Sequence, residues 1–139
     1  MAVKLNGRQN SACKISTTSF NQRGVPDSAW GECVGCKDVV EILHAEFCQP
    51  FSLTALAQRV GAHPVQLARA FRRCQRVTVG QYVRRLRVDY AMNALAGCDS
   101  LPDIAARAGF SDQSHLGRVF RATTGMTPRQ FRLAHRRPC

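Results

Sequence analysis

No run of about 18 apolar residues occurs anywhere in this sequence, so no segment can span a bilayer as a helix. The opening MAVKLNGRQNSACK lacks the apolar core that a secretory leader needs. The default expectation is a cytoplasmic chain with no membrane contact. Carboxylates are scarce: 9 Asp and Glu stand against 20 Lys and Arg, a formal charge of +11. Paired carboxylates, a Ser/His/Asp set and a glycine-rich phosphate loop cannot be assembled, so nothing supports an enzyme. His44, His63, His115 and His135 are too scattered for a metal site. No cofactor is implied. Convincing strands are absent too; Ile15–Phe20 could pair as a short strand only if another edge were offered.

Lysine is also rare. Lys4, Lys14 and Lys37 are the only three, so the positive charge is almost all arginine. Arginine can pair bidentately with phosphate or with guanine. Cysteine runs the other way: 7 is many for 139 residues, and an odd number does not suit a closed disulfide framework. In a reducing cytoplasm they are expected as thiols. Cys33-Val-Gly-Cys36 is a C-x-x-C pair. With Cys13 or Cys48 it would approach a four-ligand zinc set, but a lone pair is a weak signal, and inert thiols are the expectation. Cys33 and Cys36 remain the candidates for a zinc or redox site.

Residues 1–36 hold Gly7, Gly24, Pro26, Gly31 and Gly35 among scattered polar residues, and read as an irregular tail. From Asp38 a helical period begins. Val39, Val40, Leu43 and Phe47 form one stripe, ended by Pro50. Ser52 can cap a helix that Gly61 stops, and His63-Pro64 opens the next, with Leu67, Ala70, Phe71 and Cys74 inward. Thr78-Val79-Gly80-Gln81 reads as a capping box. The long helix it opens has the stripe Val79, Tyr82, Val83, Leu86, Tyr90 and Ala94, and ends at Gly97. Ser100, then Ser111-Asp112, then Thr127-Pro128-Arg129-Gln130 open three more. The expectation is an all-α chain of about seven helices.

Two segments repeat each other. Residues 52–82 and 100–131 align with Ser52-Leu53 on Ser100-Leu101, Arg59 on Arg107 and Gly61 on Gly109. After one inserted residue, Leu67 falls on Leu116, Arg69 on Arg118, and Phe71-Arg72 on Phe120-Arg121. Each copy is a helix, a glycine turn and a second helix, the plan of a helix-turn-helix. The second helix of the first copy turns Val65, Gln66, Ala68, Arg69, Arg72, Arg73 and Arg76 outward. Its counterpart turns out Gln113, Ser114, His115, Gly117, Arg118 and Arg121. A helix hairpin with solvated arginines is the ordinary alternative for one copy. An outward Arg at the same offset in both copies, where no core needs it, points to DNA reading instead.

The second copy, Asp103–Arg132, resembles the signature of the AraC/XylS family of bacterial transcription regulators. Ile104, Ala105, Gly109, Phe110, Ser114, Arg118, Phe120, Gly125, Thr127, Pro128, Phe131 and Arg132 fit it, and Leu116 replaces a usual Phe. The resemblance covers roughly residues 37–135. It implies a first helix-turn-helix over 37–77, a linker helix over 78–97 and a second helix-turn-helix over 98–135. It implies recognition helices in successive major grooves, about 34 Å apart. Base contacts would fall to Val65, Gln66, Ala68 and Arg69, and to Gln113, Ser114, His115 and Arg118. Phosphate contacts would fall to Arg72, Arg73, Arg76, Arg121 and Arg129. The partner would be double-stranded DNA, bound as a monomer, with RNA polymerase as a second candidate. An activator is the expected type. About 36 residues before the first helix cannot form the sensor barrel that many relatives have. The chain is thus expected to be a short regulator or a piece of a longer one.

Overall fold

The structure is a computed structural model and describes residues 36–138. Local chemistry accounts for where each helix starts. Thr78 Oγ1 accepts from the Gln81 amide at 3.2 Å, and Gln81 Oε1 accepts from the Thr78 amide at 3.0 Å. Thr127 and Gln130 repeat this reciprocal box at 3.2 and 2.9 Å. Each box satisfies two amides that a helix start would otherwise leave without partners. Ser52 and Ser100 cap through their hydroxyls. The helices are α1 (Cys36–Glu46), α2 (Leu53–Arg59), α3 (Pro64–Gln75), α4 (Val79–Leu95), α5 (Leu101–Ala108), α6 (Gln113–Thr124) and α7 (Pro128–His135). Seven helices and no strand among the described residues agree with the all-α expectation. The tail and the segment Ile15–Phe20 lie outside the described residues, except Cys36, which is the buried first residue of α1.

Two cores form, and α4 contributes to both. Val79, Tyr82, Val83 and Leu86 join Val39, Leu43, Phe47, Leu56, Leu67 and Phe71. Val88, Ala91 and Leu95 join Ile104, Ala108, Phe110, Leu116 and Phe120. The single stripe expected on α4 is therefore incomplete. Tyr90 and Ala94 are only half-buried, whereas Val88, Ala91 and Leu95 are fully buried. At 3.6 residues per turn those three lie opposite Val79, Val83 and Leu86. A helix held between two units buries two faces, and one amphipathic stripe describes only one of them. Gly97 likewise follows the end of α4 without a left-handed turn, since the C-cap is Ala96. Ala70 and Cys74 are half-buried rather than central.

Two helix ends have matching backbones but different residues. Gly125 closes α6 at φ 80. Arg76 closes α3 at φ 61, the one non-glycine residue with positive φ among the described residues. A side chain in that region costs about 1–2 kcal/mol relative to its ordinary backbone. Arg76→Gly should therefore raise stability by roughly 1 kcal/mol, after the greater flexibility of glycine in the unfolded chain is subtracted. A denaturant midpoint that falls or stays fixed would show that no strain is relieved.

His44 on α1 places Nε2 2.9 Å from the Tyr82 hydroxyl on α4. Burial pushes His44 below its ordinary 6.5. Burial, helped by the charge of Asp89, pushes Tyr82 up to about 12. The folded protein thus resists a proton that the unfolded chain accepts near 6.5. This contribution to stability is full above that pH and is lost as pH falls below it. Unfolding midpoints measured at about pH 7.5 and 5.5 should fall with acid, and His44→Gln should flatten that fall.

Candidate nucleic-acid interface

In each copy the glycine turn sets a short helix against the exposed second one. Gly61 (φ 67) and Gly109 (φ 83) provide the left-handed step. Leu67 and Phe71 anchor α3 to the first core, and Leu116 and Phe120 anchor α6 to the second. What remains outward follows from the period. On α3, Val65, Arg69 and Arg72 recur at i, i+4 and i+7 and are exposed, and Arg76, the left-handed residue that closes the helix, is exposed too. On α6, Ser114, Arg118 and Arg121 recur at i, i+4 and i+7 and are exposed. These stripes are equivalent under the repeat, Val65 with Ser114, Arg69 with Arg118 and Arg72 with Arg121. None of these arginines takes part in an ion pair among the described residues. Arg59 and Arg107, the other repeated pair, are instead tied to Glu46 and Asp99.

The remaining predicted contacts fall around these stripes. Gln66, Arg73, Gln113 and Arg129 are exposed. Val65 is 51% exposed, high for a valine and consistent with a surface kept open for apolar contact. Ala68 is half-buried and borders an open cleft of about 360 Å³, with Phe51, Leu53 and Val79 on its apolar walls and Arg69 and Arg72 at its edge. His115 is half-buried as well. Its ring meets Phe110 edge-on at 5.3 Å, and its Nδ1 lies 3.1 Å from the Ser111 hydroxyl. The fold thus uses the His115 ring to close the turn before α6.

The two reading helices start differently. Asp112 caps α6, its Oδ1 accepting from the His115 amide at 2.7 Å. That backbone bond, aided by the Ser114 amide, the Ser111 hydroxyl and the charge of Arg118, holds the carboxyl below the usual carboxylate range. On α3 the cap is His63, whose Nδ1 accepts from the Val65 amide at 3.3 Å. One reading helix therefore begins with a fixed negative charge and the other with an imidazole.

The cysteines are arranged otherwise than expected. Cys74 and Cys98 each take part in a disulfide rather than standing as thiols. The tertiary fold, which spacing along the chain does not reveal, decides which sulfurs can meet. Cys36 is buried with its Sγ 3.3 Å from the Cys74 Sγ, and burial pushes its thiol up, which disfavours the thiolate. Cys33 lies outside the described residues. Among those described, no group of three or more His, Cys, Asp or Glu could hold a metal ion. No described helix is long and apolar enough to cross a membrane.

Known proteins share this architecture. A family profile for a helix-turn-helix domain matches residues 56–134. Over 132 residues the chain is 26% identical to the bifunctional transcriptional activator/DNA repair enzyme AdaA of Bacillus subtilis, covering 94% of this chain and 58% of that protein. Over 91 residues it is 33% identical to the HTH-type transcriptional activator RhaR of Klebsiella pneumoniae, covering 65% of this chain and 32% of that one. The chain therefore spans less than two thirds of either relative. A transcriptional regulator of Chromobacterium violaceum described by AraC-type DNA-binding domains superposes with a TM-score of 0.68 at 27% identity, over 75% of this chain and 94% of that one. The DNA-binding domain of AdpA, solved in complex with a target DNA, superposes with a TM-score of 0.68 at 26% identity, over 71% of this chain and 90% of that one. The profile match, the seven-helix fold and the paired arginine stripes converge, and the chain belongs to the AraC-type helix-turn-helix family.

Proposed function

We propose that this chain is a sequence-specific DNA-binding transcription regulator with two unlike reading heads. The observation that supports it is the repeated stripe: Val65, Arg69, Arg72 on α3 and Ser114, Arg118, Arg121 on α6, exposed and without an ion pair among the described residues. Each stripe has the chemistry of a helix in a major groove. Its first residues face base edges, where Arg69 and Arg118 can pair with guanine O6 and N7 and Val65 can meet a thymine methyl. Gln66, Ala68, Gln113, Ser114 and His115 flank these contacts; Gln113 can pair with adenine. The later arginines, Arg72, Arg73, Arg76, Arg121 and Arg129, reach phosphates and set orientation. The strained Arg76 fits this role, since a costly backbone is retained where its side chain is useful.

Both heads lie on one chain, so a monomer would bind an asymmetric site in the cytoplasm, at the nucleoid. The relatives AdaA and RhaR are named as transcriptional activators. Activation is the reading that these names support; we add contact with RNA polymerase as its route, and it calls on no cofactor or metal. AdpA, bound to its target DNA, is the precedent for duplex DNA as the partner.

Selection from random duplex DNA should return two different half-sites about one helical turn, roughly 34 Å, apart. A palindrome, or no enrichment, would defeat this reading. Arg69→Ala should relax base preference at one position of one half-site and cost about 1–3 kcal/mol there. Arg121→Ala should instead weaken all sequences alike and lower the slope of log K against log salt by about 1. Titrations by fluorescence anisotropy at several salt concentrations separate the two behaviours.

A further inference from the structure

Two heads that read separate half-sites work together only if the distance between them is set. A single shared helix is one link, and the heads also meet directly beside it. Gly109, in the turn of the second head, lies against the backbone of Cys48, between α1 and α2 of the first. A Cβ on Gly109 would fall 2.6 Å from the Cys48 carbonyl oxygen and 2.8 Å from its Cα. Backbone atoms cannot swing aside as a flexible side chain can. On α4, Arg87 donates from Nε to the Phe47 carbonyl at 2.7 Å and from Nη2 to the Gln49 carbonyl at 2.9 Å. It thus grips the carbonyls on either side of Cys48. Tyr90, which packs against both cores, has its ring 5.7 Å from that of Phe47.

The repeat supplies an internal comparison. Gly61 occupies the same place in the first head, with the same left-handed backbone, yet a Cβ there would meet nothing within 4 Å. The turn itself needs only the backbone conformation. The close approach belongs to Gly109 alone.

We propose that the Gly109–Cys48 contact, gripped by Arg87, is a register clamp that fixes the placement of the two heads and so the spacing of half-sites the protein accepts. Gly109 and Arg87 are positioning residues: they act on DNA through the heads they hold. The proposal rests on the two-head reading above.

The test compares Gly61→Asn, Gly109→Asn and Arg87→Met. Asparagine tolerates the left-handed backbone, so the first two differ chiefly in the wedge placed at the seam. Methionine keeps an apolar stem but removes both hydrogen bonds. Affinity is measured on duplexes in which the two selected half-sites are moved apart or together one base pair at a time. The unchanged protein and Gly61→Asn should share one sharp optimum. Gly109→Asn should shift that optimum or flatten it, and Arg87→Met should flatten it, while base preference within each half-site stays unchanged. Should Gly109→Asn fail to fold by circular dichroism, Arg87→Met decides. Folded variants that keep the original optimum, or lose affinity equally at every spacing, would overturn the clamp and leave the two heads standing. An unchanged protein with no spacing optimum would overturn the two-head reading and the clamp with it.

Discussion

Helix α4 is buried on two opposite faces, and each face completes a different core. The residues Val79, Tyr82, Val83 and Leu86 fill one, and Val88, Ala91 and Leu95 fill the other. Neither set of three short helices encloses a core alone. A fully buried Leu or Val stabilises by about 1.5–3 kcal/mol, so both halves of α4 are held strongly, and each holds its own head in return. Both reading helices therefore depend on one rigid rod of 17 residues. Its start is secured by the Thr78–Gln81 box, so the element that everything packs against also has a well-defined first turn.

The duplication gives the molecule two similar heads, and the differences between them are where its specificity would lie. The glycine turns, the reciprocal caps and the outward arginines recur. The caps of the reading helices do not: His63 on α3 and Asp112 on α6. An ionised carboxylate beside the second reading surface repels phosphate and can accept only from a donor, such as a cytosine amino group. The first surface begins with the His63 imidazole instead. Val65 opposite Ser114 extends the same contrast, apolar against polar. The difference between Gly61, in open space, and Gly109, against Cys48, has a mechanical rather than a chemical consequence.

Electrostatics act at two ranges here. A formal charge of +11 draws the chain to any polyanion and makes that attraction depend steeply on salt. On the proposed reading, discrimination would come from the few stripe arginines that are exposed and have no ion pair among the described residues. Arg59, Arg107, Arg87 and Arg132 are withdrawn from that set. The first two pair with Glu46 and Asp99, and the last two donate to the carbonyls of Phe47, Gln49 and Asp99. Arginine count alone overstates the proposed interface, since side chains that look alike in the sequence include several held as braces.

The helices, their caps and the two arginine stripes were legible in the order of residues, because each depends on neighbours within a turn or two. Thr78 and Gln81, Thr127 and Gln130, and Leu67, Arg69 and Phe71 needed nothing distant. The same local pattern hid the second face of α4, because Val88, Ala91 and Leu95 interrupt a stripe that looked complete. It also placed His115 on the reading surface, where packing on Phe110 gives it a second duty in the turn. Only the tertiary structure decided that Arg87 would reach carbonyls 40 and 38 residues away, that Gly109 would meet Cys48, and that Cys74 and Cys98 would each enter a disulfide. Periodicity records which way a side chain faces on its own helix; what it meets there is set by how separate helices pack.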